Sequence, residues 1–428
     1  PFACLAWSHL ETQLLYVAEK SRLTLPAACP GHVAGAARPA EDEDKEVGGA
    51  DTLPVELLSA PNRASFSPRL SPDGQHLLYL EGAVGGPHRQ CLQLRLDLLL
   101  VDTETATVTN LTAGSPEGCW ELLTVQWDLL VATCSAPHRP PSLVMAELPP
   151  LGQELPLRWV PVEDTPPVPG ITWKTLTVQQ NSPPHSEHVT SLLCPGGPHA
   201  VFDARWCPSM AALCRLGFAV LLVNYRGSLG FGQASIESLQ SRVGEQDVAD
   251  TQLAVEQALR YEPLDPRRVA LLAGSHGAFI ALHLLTRQPE RYQACALRNP
   301  VSNLPALLGT SDIPDWRYTS LGLPYSFQRV PRVEDLVVML QRSPIIQAAR
   351  VRAPVLLCVG ARDRRVSPTQ ALELYRVLRA CRVPTRLLWY PEGGHALTGV
   401  ETEADVFGNC ARWFLQHLGQ PPVGQHSP

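Results

Sequence analysis

The stretch VALLAGSHGAFIALHLL, residues 269–285, decides the fold. Five apolar residues run into a Gly-Ser-His-Gly turn, and a second apolar run at helical spacing follows. A short continuous apolar run that ends in a turn suits a buried strand, and the run after it suits a helix packed on that strand. Ser275 then stands on a sharp strand-to-helix turn. Small neighbours are needed at such a turn because the backbone is crowded, and the helix N-terminus favours developing negative charge. Gly274 and Gly277 meet that need, but Ala273 holds the first place of G-x-S-x-G. On this motif alone, a nucleophile and an ordinary turn serine stand level.

Working outward, apolar strands alternate with amphipathic helices from about residue 170. FAVLLVNY (218–225), RVALLAG (268–274), PVLLCVG (354–360) and TRLLWY (385–390) read as buried parallel strands. DVADTQLAVEQALRY, TQALELYRVLRA and EADVFGNCARWFLQHL lie between or after them at helical spacing. The expectation is a mostly parallel sheet with helices on both faces. A serine hydroxyl needs a histidine to take its proton, and that histidine needs a carboxylate to hold its tautomer. Asp363 follows one strand and His395 the next, so the chain order is Ser, Asp, His, each at a strand's C-terminal end, which is the order of an α/β-hydrolase domain. Asp363 has a bland alternative, local pairing with Arg362, Arg364 or Arg365, which does not explain its place after a core strand. His395 has another, a surface-loop histidine.

Residues 1–165 read differently. QLLYVAEK (13–20), HLLYLEG (76–82), LLLVDTETATVTNLT (98–112) and LLTVQWDLLVATC (122–134) are short strands punctuated by turns such as SPDG (71–74). WSHLETQLLY (7–16) and LSPDGQHLLY (70–79) share Ser and Leu-Leu-Tyr at an offset of 63. A repeat of strands points to blades of a partial β-propeller, with an irregular β-sandwich as the alternative.

Composition narrows the function class. The chain has 35 basic and 41 acidic residues, a net charge of −6, without the basic clustering that nucleic acid needs. EDEDKE (41–46) reads as a solvated loop. The twelve cysteines form no CxxC or Cys/His metal spacing, and Cys214, Cys295 and Cys358 lie in apolar stretches. No basic and apolar leader and no membrane-length apolar run occurs, so a cytoplasmic protein without membrane partners is expected. The chain begins at Pro1, so its own start is expected to be missing.

FAVLLVNYRGSLGFGQ, GSHGAF, RNPVSNLPALLGTSDIPDW, VGARDRRVSP and GGHAL closely resemble the C-terminal half of the acylaminoacyl-peptidases, in the prolyl oligopeptidase family. The resemblance is dense over about 200–420 and looser over 1–165. It implies removal of an N-acylated amino acid from the N-terminus of a short peptide, with Ser275, Asp363 and His395 as triad. It also implies a cytoplasmic homo-oligomer, a homotetramer, without cofactors. Two oxyanion donors are expected. One is the N–H of His276, whose backbone rather than ring is the expected contributor. The other, by resemblance, is Gly197 in PGGPH, with Gly196 its neighbour and a plain Gly-Gly turn the alternative. Arg226 in NYRGS either positions substrate or pairs with the propeller.

Two departures set further expectations. The family shows His-Gly-Gly-Pro-His at the oxyanion loop, where this chain has Pro195, and only one apolar strand precedes it. A strand is therefore expected to be lost inside SLLCPGGPH, leaving neighbours' backbone groups unpaired and the oxyanion glycine misplaced. Blades take roughly 40–45 residues, so 165 residues hold fewer than the four to eight that close a propeller. The expected layout is a partial propeller over 1–165, a hydrolase domain over 166–420 and a tail over 421–428. These departures point to a fragment, an alternative transcript product or an incompletely predicted chain. The alternatives in function are an inactive or impaired truncated relative serving as a binding or assembly partner, and an esterase or other exopeptidase of the same family.

Overall fold

The computed structural model describes residues 5–7, 14–16, 64–70, 76–82, 96–102, 108–112, 118–148, 157–163, 165–176, 189–194, 196–328 and 330–419. Pro195, the acidic run at 41–46 and the tail at 421–428 lie outside them.

The first half is antiparallel, as its short alternating strands require. Strands β1 (Leu5–Trp7) and β2 (Leu14–Tyr16) pair with each other. β3 (Ala64–Leu70), β4 (His76–Gly82), β5 (Leu96–Asp102) and β6 (Val108–Asn110) form a four-stranded meander. β7 (Cys119–Gln126), β8 (Leu129–Ala136), β9 (Arg139–Glu147) and β10 (Val160–Glu163) form a second. The Leu-Leu-Tyr echo falls on β2 and β4, the second strand of successive sheets. One apolar cluster joins the two meanders: Leu78, Leu98 and Leu100 pack with Trp120, Leu130 and Val144. Trp159 lies against Trp120, its ring tilted by 44° with centroids 4.7 Å apart, and donates to the Leu111 carbonyl at 3.2 Å. Among the described residues no sheet closes on itself.

Among the described residues the second half holds one parallel sheet of six strands in the order β12-β11-β13-β14-β15-β16. These are β11 (Val189–Cys194), β12 (Phe218–Leu222), β13 (Val269–Gly274), β14 (Ala294–Arg298), β15 (Val355–Gly360) and β16 (Thr385–Tyr390). Eight α-helices among the described residues accompany it. They are α1 (Pro208–Arg215), α2 (Gln233–Leu239), α3 (Gln246–Tyr261), α4 (His276–Arg287), α5 (Asp315–Thr319), α6 (Val333–Gln341), α7 (Pro368–Ala380) and α8 (Val400–Leu418).

Continuous apolar strands arise because both faces are covered. Val269, Leu271 and Ala273 of β13 join one cluster, with Val255 of α3, Phe279 of α4 and Leu374 of α7. Ala270 and Leu272 join the other, with Leu213 of α1 and Trp413 and Phe414 of α8. β15 divides in the same way, Val355, Leu357 and Val359 against Leu356 and Cys358. Helix α4 is apolar almost all round, and every residue from His276 to Thr286 is buried.

Among the described residues the six strands pair in unbroken succession, and β11 lies inside the sheet. β11 pairs with β12 (Val189 to Phe218 through Leu193 to Leu222) and with β13 (Thr190 to Val269 through Cys194 to Ala273). It therefore delivers the Gly196–Gly197 turn directly beside the end of β13. Within the described sheet, β12 is the edge strand on that side.

Candidate active site

Ser275 sits between β13 and α4 at φ 54° and ψ −122°. A non-glycine residue with positive φ costs on the order of 1–3 kcal/mol and persists only where its surroundings enforce it. Here they do. The Ser275 N–H donates to the Arg298 carbonyl at 3.0 Å, and the Ser275 carbonyl accepts from Ala278 N and Phe279 N at 3.1 and 3.3 Å. With β13 and α4 both buried, the turn has no room to relax, and Oγ stays raised at the sheet's C-terminal edge.

The sheet register brings the three distant residues together. Loops after β15 and β16 carry Asp363 and His395, and the two strands pair from Val355 with Thr385 to Gly360 with Tyr390. His395 Nε2 lies 3.0 Å from Ser275 Oγ, and Nδ1 lies 2.7 Å from Asp363 Oδ2. A carboxylate only accepts, so Nδ1 carries the proton and Nε2 is left as acceptor for the serine O–H. Asp363 is 5% exposed and its Oδ1 accepts from Arg365 N at 2.8 Å and Val366 N at 2.9 Å. Its local arginines thus supply a backbone amide rather than an ion pair. Arg365 turns instead to Asp312, at 2.6 and 3.1 Å, and that guanidinium holds Asp312 below the usual carboxylate range.

Residues that sequence reasoning passed over fix the histidine loop. Buried Asn299, at φ 42° just after β14, accepts from Gly360 N at 2.8 Å. Its amide donates to the Gly394 and His395 carbonyls at 3.2 and 2.8 Å. One side chain thereby ties the ends of β14 and β15 to the loop carrying His395. Gly360 allows the close approach, because a Cβ there would lie 2.4 Å from the Gly394 carbonyl oxygen and 2.6 Å from that of Gly393.

His276 follows the serine directly, and Gly196, the neighbour of the expected donor Gly197, lies beside it. His276 is the first residue of α4, so its N–H has no intrahelical acceptor. A Cβ on Gly196 would lie 3.8 Å from Ser275 Cβ, which puts the Gly196–Gly197 turn against the nucleophile position. Gly197 has φ +84°, and a Cβ on it would meet Ala200 N at 2.9 Å, so the turn requires glycine. His199 anchors this turn by donating from Nδ1 to the Gly227 carbonyl at 2.7 Å.

The His276 ring has a partner of its own. Its Nε2 lies 2.9 Å from Asp247 Oδ2, with both residues buried. Arg226 pairs bidentately with Asp250 of α3, at 2.8 and 2.6 Å, and so is engaged within its own half of the chain. Arg317 of α5 is 5% exposed and its Nε has no acceptor. Burial, with Arg365 nearby, pushes that guanidinium down to about 10.

Among the described residues no group of His, Cys, Asp and Glu could hold a metal, and no helix is long and apolar enough to cross a membrane.

The family model of the prolyl oligopeptidase family matches residues 206–421. The acylamino-acid-releasing enzyme of Rattus norvegicus is 41% identical over 439 residues, covering 85% of this chain and 60% of that protein. The Homo sapiens enzyme of the same name is 40% identical with the same coverage. The chain thus spans 60% of the length of these curated relatives. A puromycin-hydrolyzing peptidase from Mycobacterium tuberculosis superposes with TM-score 0.68 at 21% identity, over 84% of this chain and 55% of that one. The Pyrococcus horikoshii acylaminoacyl peptidase gives 0.64 at 17%, over 85% and 57%. These likenesses show the fold, an α/β-hydrolase preceded by a β domain.

Proposed function

The chain belongs to the prolyl oligopeptidase family, and from that premise we propose that it is a serine peptidase releasing an N-acylated amino acid from the N-terminus of short acylated peptides. The observation that carries the reading is the unbroken relay from Asp363 Oδ2 through His395 to Ser275 Oγ, at 2.7 and 3.0 Å. The names of the relatives at about 40% identity supply the substrate class.

In this mechanism His395 Nε2 takes the Ser275 proton as Oγ attacks the carbonyl of the acylated residue. Asp363 holds the imidazolium that results, and His395 passes the proton to the leaving amine. Water, deprotonated by the same histidine, then attacks the acyl-enzyme and frees Ser275. The N–H groups of His276 and Gly197 receive the oxyanion, each lowering the barrier by about 3 to 4 kcal/mol. An acylated N-terminus is uncharged, so its pocket needs no acidic clamp for an ammonium group.

The rest of the reading extends from the same premise. The two meanders are blades of a partial propeller over 1–165, the hydrolase domain runs over 166–420, and the protein works in the cytoplasm as a homo-oligomer. Hydrolysis of N-acetyl-alanyl p-nitroanilide, with alanyl p-nitroanilide and a Ser275→Ala variant as controls, tests the central part. Turnover of the acetylated amide alone, abolished in the variant, is expected. Cleavage of esters only would make it an esterase, and inertness of the folded protein would make it an inactive relative.

A further inference from the structure

Two carboxylates flank the nucleophile in matching arrangements. Asp363 Oδ1 accepts two backbone N–H groups and Oδ2 holds a histidine, the general base. Asp247 Oδ1 accepts Gly244 N at 2.8 Å and Val248 N at 2.9 Å, and Oδ2 holds His276 Nε2 at 2.9 Å. Asp247 is fully buried and His276 is 6% exposed. Burying a carboxylate costs several kcal/mol unless every lone pair is matched, and this one is matched on both oxygens.

The pair joins the start of α3 to the first residue of α4. Because the carboxylate only accepts, His276 Nε2 is the donor, and the ring is held at its far end. The ring's sides are closed by Phe279, at 5.4 Å between centroids, and Tyr225, at 6.4 Å. The acceptor loop is itself braced. Gly244, at φ +83°, packs against Phe279 and His283, and its carbonyl accepts from Arg287 Nη2. A side chain fixed at its tip and on its faces fixes the peptide plane at its root. That plane carries the N–H immediately after Ser275.

We propose that Asp247 is a positioning residue, which acts through the His276 ring to aim the His276 backbone N–H at the oxyanion. The proposal rests on the assignment of Ser275 as nucleophile. It explains why the residue after the nucleophile is a buried histidine with its own carboxylate, although the reaction uses only its backbone. Displacing one donor without deleting it costs less than losing it, for which about 10²- to 10³-fold is usual.

The test uses a fluorophosphonate probe, which phosphonylates an activated serine whatever the natural substrate and places an oxygen in the oxyanion site. Asp247→Asn keeps the shape but sets an amide donor against either His276 or the two backbone donors. His276→Leu keeps the bulk and removes the ring donor, whereas His276→Gln retains a donor of similar reach. The expected result is labelling slowed about 10- to 100-fold in Asp247→Asn and His276→Leu, and held within threefold of the parent in His276→Gln. Turnover should show the loss in kcat with KM unchanged. Parent-like labelling in Asp247→Asn and His276→Leu would overturn the proposal, as would equal loss in all three variants. Silence of the parent protein would instead overturn the nucleophile assignment and this role with it.

Discussion

Replacing His283 by glutamine should remove much of this protein's sensitivity to mild acid. His283 lies in α4, two turns beyond the nucleophile, and is 6% exposed. Its Nε2 lies 3.1 Å from the Arg342 carbonyl, which can only accept, so Nε2 carries the proton and Nδ1 is bare. Phe279 meets the ring edge-on at 4.6 Å. Burial first, and the Arg287 charge second, push this histidine from 6.5 to about 4. The unfolded chain therefore takes up a proton as pH falls through 6.5, while the folded chain does so only near 4. Stability is fully present above pH 6.5 and is lost as pH falls across that window. At 1.36 kcal/mol per pKa unit, the difference is worth about 3 kcal/mol. Glutamine keeps a donor for the Arg342 carbonyl and cannot take up a proton. Urea unfolding followed by tryptophan fluorescence at pH 7 and pH 4.5 should show the parent losing about 2 to 3 kcal/mol more than His283→Gln. Parallel losses in the two proteins would refute the reasoning.

Other perturbations probe the rest of the site. Asp363→Asn should lower kcat by about 10³- to 10⁴-fold with little change in KM, because an amide in place of the carboxylate disturbs the His395 tautomer; steady-state kinetics on the acetylated amide checks this. Gly360→Ala should drive the Gly393–Gly394 turn away from β15, costing about 1 to 3 kcal/mol of stability and about 100-fold in rate. Thermal melts and phosphonylation rates read the two effects separately. Arg317→Met should raise stability by about 1 kcal/mol or more, since it removes a buried cation whose Nε is unmatched, and denaturant unfolding measures it.

Sequence pattern made the second half of the fold legible because its signals are local. β16 falls on the residues read as TRLLWY, and RVALLAG and PVLLCVG became β13 and β15, each less its first residue. Ser275, Asp363 and His395 each stand at the end of an apolar strand, where a parallel sheet collects side chains from distant parts of the chain. The position of β11 was not legible. Sequence shows how many strands precede Gly196, but sheet order is a matter of pairing, and VTSLLC carries no mark of a slot between β12 and β13. Asp247 and Asn299 were missed for a related reason. Asp247 reads as an acidic residue in the first turn of an amphipathic helix, and Asn299 as part of an Asn-Pro turn. Their partners, His276 and the His395 loop, are 29 and 96 residues away. Arg226 had two expected partners, and the structure gives it a third, Asp250, because α3 packs beside the loop that follows β12. The first half was legible as strands and turns, whereas closure depends on how sheets meet.

The most direct test of the central claim is to trap the covalent intermediate. Protein mixed with the p-nitrophenyl ester of N-acetylalanine, quenched in acid within the first turnovers and digested, should yield the peptide containing Ser275 with one acetylalanyl group on the serine. The adduct should be absent from Ser275→Ala and should accumulate in a variant slowed at deacylation. A protein that hydrolyses the ester while Ser275 stays unmodified, or that carries the group on another residue, would contradict the account.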